Sequence, residues 1–383
     1  FSVDAHAIGR HLTGNEVYIK NLLNRFPSLD EESEFIAYLS TEEAATAIPG
    51  RFRWRLVAGN PYVRLGYHLS ARLLQDNPDL IHVPYTAPLH CPAPIVVSIH
   101  DVSFLEHPEY FPPARALQLR LTVARTVRRA RRILTPSEFS RRQIVKAYNV
   151  ADDRVVVVPN AVSSEFRPRS QEKAAARIQA EYGIPSPFIF TVGDLQPRKN
   201  QPGLIRAFEE LLRHNPELPH HLVLAGQEGW DGAQVRKAAE KSAVASRIHF
   251  PGFVPDESLL QFYAACEVFA FPSFYEGFGL PILEAMACGR AVACSNATAI
   301  PEVADAAVLL FDPYSIEEMT RALRDLVLDA ELRARVERLG QQRAARYSWE
   351  KSARITLDAY HDVAGDRQQG AAVAVKSVSV ARS

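Results

Sequence analysis

Two carboxylates flank a glycine-containing turn in the segment 273–289. Glu276 precedes the turn, and Glu284 follows it eight residues later, inside a predicted helix. Gly277 and Gly279 let backbone N–H groups approach a ligand closely, and the start of the helix adds partial positive charge. We interpret the turn as built for a phosphate or sugar oxygen, with Glu276 meeting sugar hydroxyls and Glu284 a ribose diol. The alternative is an ordinary strand–loop–helix with a solvated and a capping glutamate.

Two adjacent cations, Arg198 and Lys199, follow a predicted strand at Phe188–Val192 and a turn at Gly193. Two fixed positive charges suit a diphosphate whose negative charge grows as the bond to it breaks. Taken alone, such a pair is more typical of a solvated surface loop.

His100 and Asp101 come directly after the apolar run Ile95–Ile99. Ligands of open α/β sheets bind outside the carboxyl ends of the strands, so these residues stand where a ligand is expected. A lone histidine in this position is nevertheless more often structural. Ser137 follows the run Ile133–Thr135, and it is either a site residue or the N-cap of the next helix.

Short apolar, β-branched runs recur along the chain, each followed by a helical pattern. Such runs predict parallel sheets covered on both faces. They are too many for one doubly wound sheet, so two α/β lobes with a site in the cleft between them fit better. The predicted strands are Leu80–Val83, Ile95–Ile99, Ile133–Thr135, Val155–Val158, Phe188–Val192, His221–Ala225, Ile248–Phe250, Val268–Phe271, Ala291–Cys294 and Ala307–Phe311.

The boundary between the lobes is expected near Val158–Val162, after which the chain becomes polar. We therefore predict one domain over residues 1–162 and a second over 163–346. A helix at about 347–363 is expected to pack back on the first domain. The small, repetitive residues 364–383 predict a disordered tail.

The chain has 383 residues, of which 47% are hydrophobic and 23% charged, which excludes disordered and disulfide-stapled classes. Lys+Arg and Asp+Glu both number 44, so no general affinity for nucleic acid or anionic membrane is expected. No nucleic-acid reader motif is present either.

One segment departs from this charge balance. Arg115–Arg142 holds nine arginines, and its one acid is Glu138. The pattern predicts a helix with a basic outer face, which is either solvated or directed at anionic lipid. The positions predicted to face the core are Leu117, Leu121, Val123, Ala124, Val127 and Ala130.

The cysteines lie apart, without a Cys-x-x-Cys pair, and predict buried free thiols in a reducing compartment. They are Cys91, Cys266, Cys288 and Cys294. No apolar stretch approaches the roughly 20 residues that span a bilayer. We therefore expect a cytoplasmic protein, peripheral at the inner face of the membrane if the arginine-rich segment meets lipid.

The segment 273–289 closely resembles the signature of the retaining GT-B glycosyltransferases of family 4. That signature has a glutamate, a Gly-Phe-Gly-Leu-Pro turn and a second glutamate, and the match continues through Ala-Met-Ala-Cys-Gly. The resemblance runs from about residue 4 to 360. It implies that Glu276 contacts the donor sugar and Glu284 the nucleotide ribose.

Two further elements carry the resemblance. The Gly-x-x-x-Pro-Arg-Lys-Asn element implies that Arg198 and Lys199 hold the donor diphosphate. The His-Asp element implies that His100 faces the donor sugar and that Asp101 orients it or meets the acceptor hydroxyl. The loop at 251–255 is similar to the one that packs the nucleotide base. Donor contacts are implied for Gly193, Phe253, Val254, Gly277, Phe278, Gly279 and Leu280.

One element departs from the family pattern. Family members often have a Gly-x-Gly-x-Tyr turn near the start, whereas Gly14–Tyr18 has Glu16 in place of the second glycine. A carboxylate there would repel a diphosphate, so we expect Glu16 to read acceptor hydroxyls. The other first-lobe candidates are Gly14, Tyr18, Asp101 and Ser137.

The resemblance implies a GT-B fold, with two facing Rossmann-like domains that bind the acceptor and the nucleotide sugar respectively. The implied activity moves a hexose, first of all mannose from GDP-mannose, to a hydroxyl of a glycan or lipid-linked acceptor in cell-surface polysaccharide or glycolipid synthesis. No cofactor or divalent metal is expected, because no Asp-x-Asp motif has a suitable setting and the two cations would take the metal's place. The alternatives are a UDP-sugar-dependent transferase, an epimerase or phosphorylase of this fold, and a non-catalytic sugar-nucleotide-binding protein.

Overall fold

The computed structural model describes residues 1–10 and 13–380, without the side chains of residues 13 and 366–380. The described chain divides into two compact units. Unit 1 comprises Phe1–Leu105, Ala114–Asn160 and the segment that begins at Trp349, and unit 2 comprises Glu106–Pro113 and Ala161–Ser348.

Unit 1 is built on a parallel sheet. Its strands are β1 (Ser2–Asp4), β2 (Ile36–Leu39), β3 (Arg53–Leu56), β4 (Ile81–Pro84), β5 (Ile95–Ser98), β6 (Ala130–Thr135) and β7 (Val155–Val157). Within the described residues their order is β3-β2-β1-β4-β5-β6-β7. Because all neighbours pair in parallel, the carboxyl ends of these strands lie along one edge of the sheet.

Unit 2 contains a second parallel sheet. Its strands are β8 (Phe188–Val192), β9 (His221–Ala225), β10 (Ile248–Gly252), β11 (Val268–Phe271), β12 (Ala291–Ser295) and β13 (Leu309–Phe311). Their order in the described chain is β10-β9-β8-β11-β12-β13. Phe188 and Phe190 pack into one core cluster and Ile189 into another, as the alternation of side chains along a strand requires when both faces are covered.

Helices connect the strands of both units. Their bounds are α1 (Thr13–Leu23), α2 (Phe26–Leu29), α3 (Pro61–Val63), α4 (Leu69–Asp76), α5 (Ser103–Glu106), α6 (Pro113–Arg129), α7 (Glu138–Tyr148), α8 (Gln171–Tyr182), α9 (Gln201–His214), α10 (Ala233–Lys241), α11 (Asp256–Ala265), α12 (Leu280–Ala287), α13 (Ile300–Ala304), α14 (Ile316–Leu328), α15 (Ala330–Ala344) and α16 (Trp349–Val380). A π-helical segment, Arg64–His68, lies between α3 and α4. No helix of the described residues is long and apolar enough to cross a membrane.

The last helix, α16, packs on unit 1. Tyr360 is fully buried, and its hydroxyl lies 2.5 Å from Nδ1 of His82 on β4. Ser352 donates a hydrogen bond to the carbonyl of Pro159. The predicted tail at 364–383 remains a prediction, because the side chains from 366 on and all of 381–383 lie outside the described residues.

Two sequence expectations about burial fail in unit 1. Leu117 and Leu121, predicted to face the core, are 58% and 62% exposed, whereas Val123 and Val127 of the same helix are buried. The helix buries a narrower stripe than predicted. Cys91 is a free thiol but only half-buried, while the three other cysteines are free and buried as expected.

Candidate functional site

Two glycines shape the loops that follow β8 and β9. Gly193 has a φ of 147° and Gly226 a φ of 144°, values that side chains rarely allow. A Cβ atom on Gly226 would lie 2.2 Å from the carbonyl oxygen of Gly193, so the two loops approach each other backbone to backbone. The loop after β8 then forms a 3₁₀ turn, Pro197–Lys199, at the carboxyl edge of the sheet.

Arg198, Lys199 and Glu276 form one cation–carboxylate cluster. Arg198 Nη1 donates to Glu276 Oε2 at 2.9 Å and to the carbonyl of Tyr275 at 2.7 Å. Lys199 Nζ donates to the other carboxylate oxygen, Oε1, at 2.7 Å. The three side chains are only 17%, 13% and 10% exposed, so water screens their charges weakly. The predicted residues of two distant motifs therefore meet in space.

The cluster keeps Glu276 ionised. Burial by itself raises the pKa of Glu276, but the charges of Arg198 and Lys199 outweigh it and bring the pKa down to about 2. Burial lowers the pKa of Lys199, and the carboxylate of Glu276 opposes that shift. With two cations and one anion, the cluster has a net positive charge.

Asn200 fixes the position of the two cations. It has a left-handed conformation with a φ of 53°, and its buried side chain donates to the carbonyls of Pro272 at 3.2 Å and Pro313 at 2.8 Å. These bonds tie the end of the 3₁₀ turn to the segment that leads into Glu276. The side chain of Asn200 fits because residue 203 is a glycine. A Cβ atom on Gly203 would lie 2.4 Å from the side-chain amide oxygen of Asn200.

The glycine-containing turn leads into α12 as predicted. Gly279 has a φ of 101° and directly precedes the helix, which ends at Ala287 before a left-handed Gly289. The side chain of Phe278 is buried in the core and packs edge-on against Tyr347 at 5.7 Å. Phe278 therefore offers a ligand its backbone, while its ring holds the turn in place.

Glu284 is buried one turn into α12. Its Oε2 accepts a 2.7 Å hydrogen bond from the hydroxyl of Tyr263. Burial raises the pKa of Glu284 to about 7, although the bond from Tyr263 works against the rise. A second carboxylate oxygen thus remains for a ligand hydroxyl at neutral pH.

The loop after β10 exposes one of its two predicted contact residues. Val254 is buried, whereas Phe253 is 46% exposed. An exposed aromatic side chain at the carboxyl end of a strand is suited to pack on a planar base.

His100 follows β5 in unit 1. Its ring packs edge-on against Tyr18 at 4.8 Å, and its backbone carbonyl accepts a 2.9 Å hydrogen bond from Ser140. Burial lowers the pKa of His100 to about 4, with Asp101 opposing the shift. Nε2 is buried and has no hydrogen-bond partner among the described residues. His100 is therefore a neutral imidazole with one unused nitrogen.

Two other first-lobe candidates, Asp101 and Ser137, form hydrogen bonds at the starts of helices. Asp101 accepts hydrogen bonds from the backbone and hydroxyl of Ser103 at 2.9 and 2.6 Å, which caps α5. Ser137 is the N-cap of α7 and accepts from the backbone of Ser140 at 3.1 Å. Of the two roles predicted for Ser137, site residue or N-cap, the structure shows the N-cap.

Gly14, Glu16 and Tyr18 do not form a turn, which corrects the expectation of a loop there. They lie on α1, where Glu16 accepts a 2.8 Å hydrogen bond from the backbone of Gly9. Tyr18 is buried, and its hydroxyl lies 3.0 Å from Ser98 Oγ. A helix replaces the glycine turn because glutamate, unlike glycine, favours helical backbone.

Two family models match the chain: glycosyltransferase family 4 over residues 12–166, and glycosyl transferases group 1 over residues 175–343. The O-antigen chain mannosyltransferase B of Escherichia coli is 35% identical over 292 residues, which are 76% of this chain and 76% of that protein. The chain belongs to glycosyltransferase family 4. A second relative, the serotype-specific mannosyltransferase WbdA of Escherichia coli, is 30% identical over 66% of this chain but only 31% of its own length.

A solved structure of HepE from Anabaena, in complex with UDP and glucose, resembles this glycosyltransferase with a TM-score of 0.74. The match covers 94% of this chain and 98% of HepE at 18% identity. A likeness at that identity concerns the fold, and it confirms the predicted α/β class with two Rossmann-like domains.

Sequence reasoning missed two residues of the site in this family 4 glycosyltransferase. Asn200 positions the cations, and its place directly after the Arg-Lys pair was the available signal. Tyr263 bonds to Glu284 from 21 residues away, and no sequence pattern pointed to it.

Proposed function

We propose that this glycosyltransferase moves mannose from GDP-mannose, with retention of the anomeric configuration, to a hydroxyl of a glycan or lipid-linked acceptor in cell-surface polysaccharide synthesis. The observation that carries the proposal is the similarity to the O-antigen chain mannosyltransferase B of Escherichia coli, which is 35% identical over 76% of both chains. The geometry of the site supports each chemical requirement of such a transfer.

The leaving diphosphate requires positive charge that is already in place. Arg198 and Lys199 supply it without reorganisation, because both are held by Glu276 and the loop backbone. As the glycosidic bond breaks, negative charge grows on the phosphate, and fixed cations stabilise that charge more than they stabilise the intact donor. The start of α12 adds the partial charge of its backbone N–H groups. No divalent metal is required in this scheme.

Glu276 is suited to hold the donor sugar and poorly suited to attack it. Both of its oxygens accept hydrogen bonds from cations, and its pKa of about 2 makes it a weak base. A weak base with engaged oxygens is a poor nucleophile. Retention would then follow from attack on the face that the phosphate leaves, with the departing phosphate accepting the proton of the acceptor hydroxyl.

His100 suits a position beside a sugar that becomes positively charged. With a pKa of about 4 it is neutral at physiological pH, so it does not repel an oxocarbenium-like transition state. Its unused Nε2 and its carbonyl both offer electron-rich atoms to that charge. A protonated histidine would oppose the reaction.

A donor panel tests the proposal. The purified protein is offered GDP-mannose, UDP-glucose, UDP-galactose and UDP-N-acetylglucosamine with mannose-terminated acceptors, and release of GDP or UDP is measured with and without EDTA. We expect GDP release from GDP-mannose only, unaffected by EDTA, and an α-linked product by NMR. Release from UDP-sugars alone would contradict the donor, and binding without any product would indicate a non-catalytic sugar-nucleotide-binding protein.

A further inference from the structure

Arg64 is a buried arginine with unused donors. Its side chain is 6% exposed, and its Nε lies 3.5 Å from Oδ2 of Asp4, the last residue of β1. Neither of these two atoms has a hydrogen-bond partner among the described residues. Of the five N–H donors of this arginine, the one on Nε is buried without a hydrogen-bond partner, which is costly unless a ligand takes it. Arg64 opens the π-helical segment Arg64–His68, a conformation often found at functional sites.

Asp4 also orients a histidine. Nδ1 of His6 lies 3.0 Å from Oδ1 of Asp4, and the His6 side chain is 15% exposed. Burial by itself raises the pKa of Asp4, but His6 and Arg64 outweigh it, so the carboxylate stays ionised between them. Within the described chain, no residue bonds to Nε2 of His6. We call Asp4, His6 and Arg64 the β1 cluster. It combines one carboxylate with nitrogen atoms of Arg64 and His6 that donate hydrogen bonds to no described residue.

Two charged residues that follow β1 in the chain, Arg10 and Glu16, bond elsewhere in the described structure. Arg10 donates to the carbonyl of Gly59 at 2.7 Å, and Glu16 accepts from the backbone of Gly9. Neither bonds to the cluster in the described structure. Asp4 is thus the acid paired with Arg64 in the described structure, at Nε, and the Nη donors of the guanidinium remain for an anion.

The cluster lies at the same sheet edge as His100. The strand order places β4 between β1 and β5, and His100 follows β5. Because neighbouring strands are about 4.8 Å apart, the carboxyl ends of β1 and β5 are separated by roughly 10 Å. A sugar residue with a phosphate substituent spans such a distance.

We propose that Arg64 and His6 bind a phosphate group of the acceptor. Arg64 donates from its guanidinium fork, which matches the oxygens of a phosphate. The Nδ1–H of His6 is taken by Asp4, so His6 adds a donor through Nε2 in its imidazolium form. Asp4 is the positioning residue for both. Naming the acceptor as the bearer of this phosphate rests on the proposed function; the phosphate site itself does not.

Titration of inorganic phosphate tests the site. GDP is kept saturating so that the cations of unit 2 are occupied, and binding is followed by ³¹P NMR and calorimetry. The test variant is Arg64→Lys, which keeps a positive charge beside Asp4 but lacks the fork. The matched control is Arg55→Lys on β3. The side chain of Arg55 is 49% exposed and also pairs with a carboxylate, that of Asp76, at 3.4 Å. We expect phosphate affinity at least about tenfold weaker in Arg64→Lys only.

His6→Ala provides a second variant should Arg64→Lys fail to fold. We expect its phosphate affinity to fall about threefold or more, because one donor is lost and the guanidinium remains. Unchanged phosphate affinity in either folded variant overturns the proposal. So does a wild-type protein that binds no phosphate, or a parallel loss of GDP affinity in Arg64→Lys, which would assign the anion to the donor.

An acceptor pair separates acceptor-borne phosphate from free phosphate. KM and kcat are compared for a mannose-terminated acceptor with and without a phosphate on the terminal sugar. Arg64→Lys should raise KM at least about tenfold for the phosphorylated acceptor alone, with kcat nearly unchanged. An equal change for both acceptors would indicate a merely structural residue. If the wild type transfers no sugar yet binds phosphate through Arg64, the proposed function fails and the site stands.

Discussion

Lys199 is held by its ion pair with Glu276 and by the ring of Phe271, whose centroid lies 5.0 Å from Nζ. On the proposed function, Lys199→Ala removes one of the two cations that face the leaving diphosphate, and it leaves Oε1 of Glu276 without its partner. We expect turnover of GDP-mannose to fall at least about a hundredfold, the usual effect of removing one donor to developing charge. Steady-state release of GDP measures it. The control is Lys173→Ala, an exposed lysine on α8; near-normal turnover in Lys199→Ala would contradict the assigned role.

The ionisation of Glu284 should make donor binding depend on pH. Its folded-state pKa is about 7, and a ribose diol that donates hydrogen bonds favours the ionised carboxylate. Binding therefore releases a proton, so the Kd for GDP-mannose should fall as the pH rises through about 7. We expect an improvement of about tenfold between pH 5.5 and 8, measured by calorimetry without acceptor. GDP-mannose is the appropriate ligand because its diphosphate, unlike that of GDP, does not titrate in this range.

Glu284→Gln is the matched control for the pH experiment. The amide is isosteric, still accepts a hydrogen bond from Tyr263, and does not titrate. The Kd of this variant should be nearly independent of pH over the same interval. An identical pH dependence in the variant and the wild type would assign the effect to another group.

At the residue scale, the sequence indicates the charged groups of the candidate donor site but not the pairs that they form. Spacing and resemblance pointed to Arg198, Lys199 and Glu276, yet not to two hydrogen-bonded ion pairs between them. Tyr18 shows the reverse: a residue predicted from a motif is buried against Ser98. Contacts between residues 77 to 80 positions apart depend on how the strands are ordered, which a local pattern does not contain.

At the scale of elements, the site depends on two loops that touch through glycines. In Gly226→Ala the new Cβ would meet the carbonyl oxygen of Gly193 at 2.2 Å, at a φ of 144°. The loops must separate, which displaces the turn that carries Arg198 and Lys199. We expect a loss of about 2 kcal/mol or more in the free energy of urea unfolding, together with reduced turnover.

Gly183→Ala distinguishes the clash from backbone strain. Gly183 also has a positive φ, 67°, but an added Cβ there would have no atom within 4 Å. We expect it to cost about 1 kcal/mol and to leave turnover unchanged. Equal costs for the two substitutions would show that the close approach of the loops contributes nothing.

The elements predicted from sequence are those with buried, apolar strands. Strands β8, β9 and β11 have the predicted bounds, and each is buried along most of its length. Strand β3 was missed because its residues, Arg-Trp-Arg-Leu, are exposed at the edge of the sheet and show no apolar run. Strand β2 is buried but was also missed, because it follows a polar stretch that hides its short apolar run.

At the scale of the whole molecule, a net charge of zero conceals an uneven distribution. The arginines of the segment 115–142 belong to unit 1, but they are not equivalent. Arg125 and Arg129 donate to carbonyls of the loop that contains Leu89, and Arg141 pairs with Glu138 and Asp152. These three stabilise the fold. Among the described residues, no acidic partner is present for the exposed cations Arg120, Arg128 and Arg131.

We propose that these exposed cations and two leucines of α6 meet an anionic membrane. Leu117, Leu121 and Arg128 are spaced by four and seven residues, so they share one helix face. Both leucines are more than half exposed, which is unfavourable in water and favourable in the interfacial layer of a bilayer.

Vesicle binding by Arg120→Gln/Arg128→Gln/Arg131→Gln tests this surface, because none of the three arginines supports the fold. Each cation near an anionic surface contributes about 1 kcal/mol, so the triple variant should bind phosphatidylglycerol vesicles at least about tenfold more weakly in cosedimentation. The control is Arg335→Gln/Arg338→Gln/Arg346→Gln, which removes three exposed arginines from unit 2 and leaves the same net charge. Equal loss in both variants would indicate a response to net charge alone, and unchanged binding in the first would exclude the surface. Binding to neutral phosphatidylcholine should be weak for all three proteins, since the leucines alone offer little apolar area.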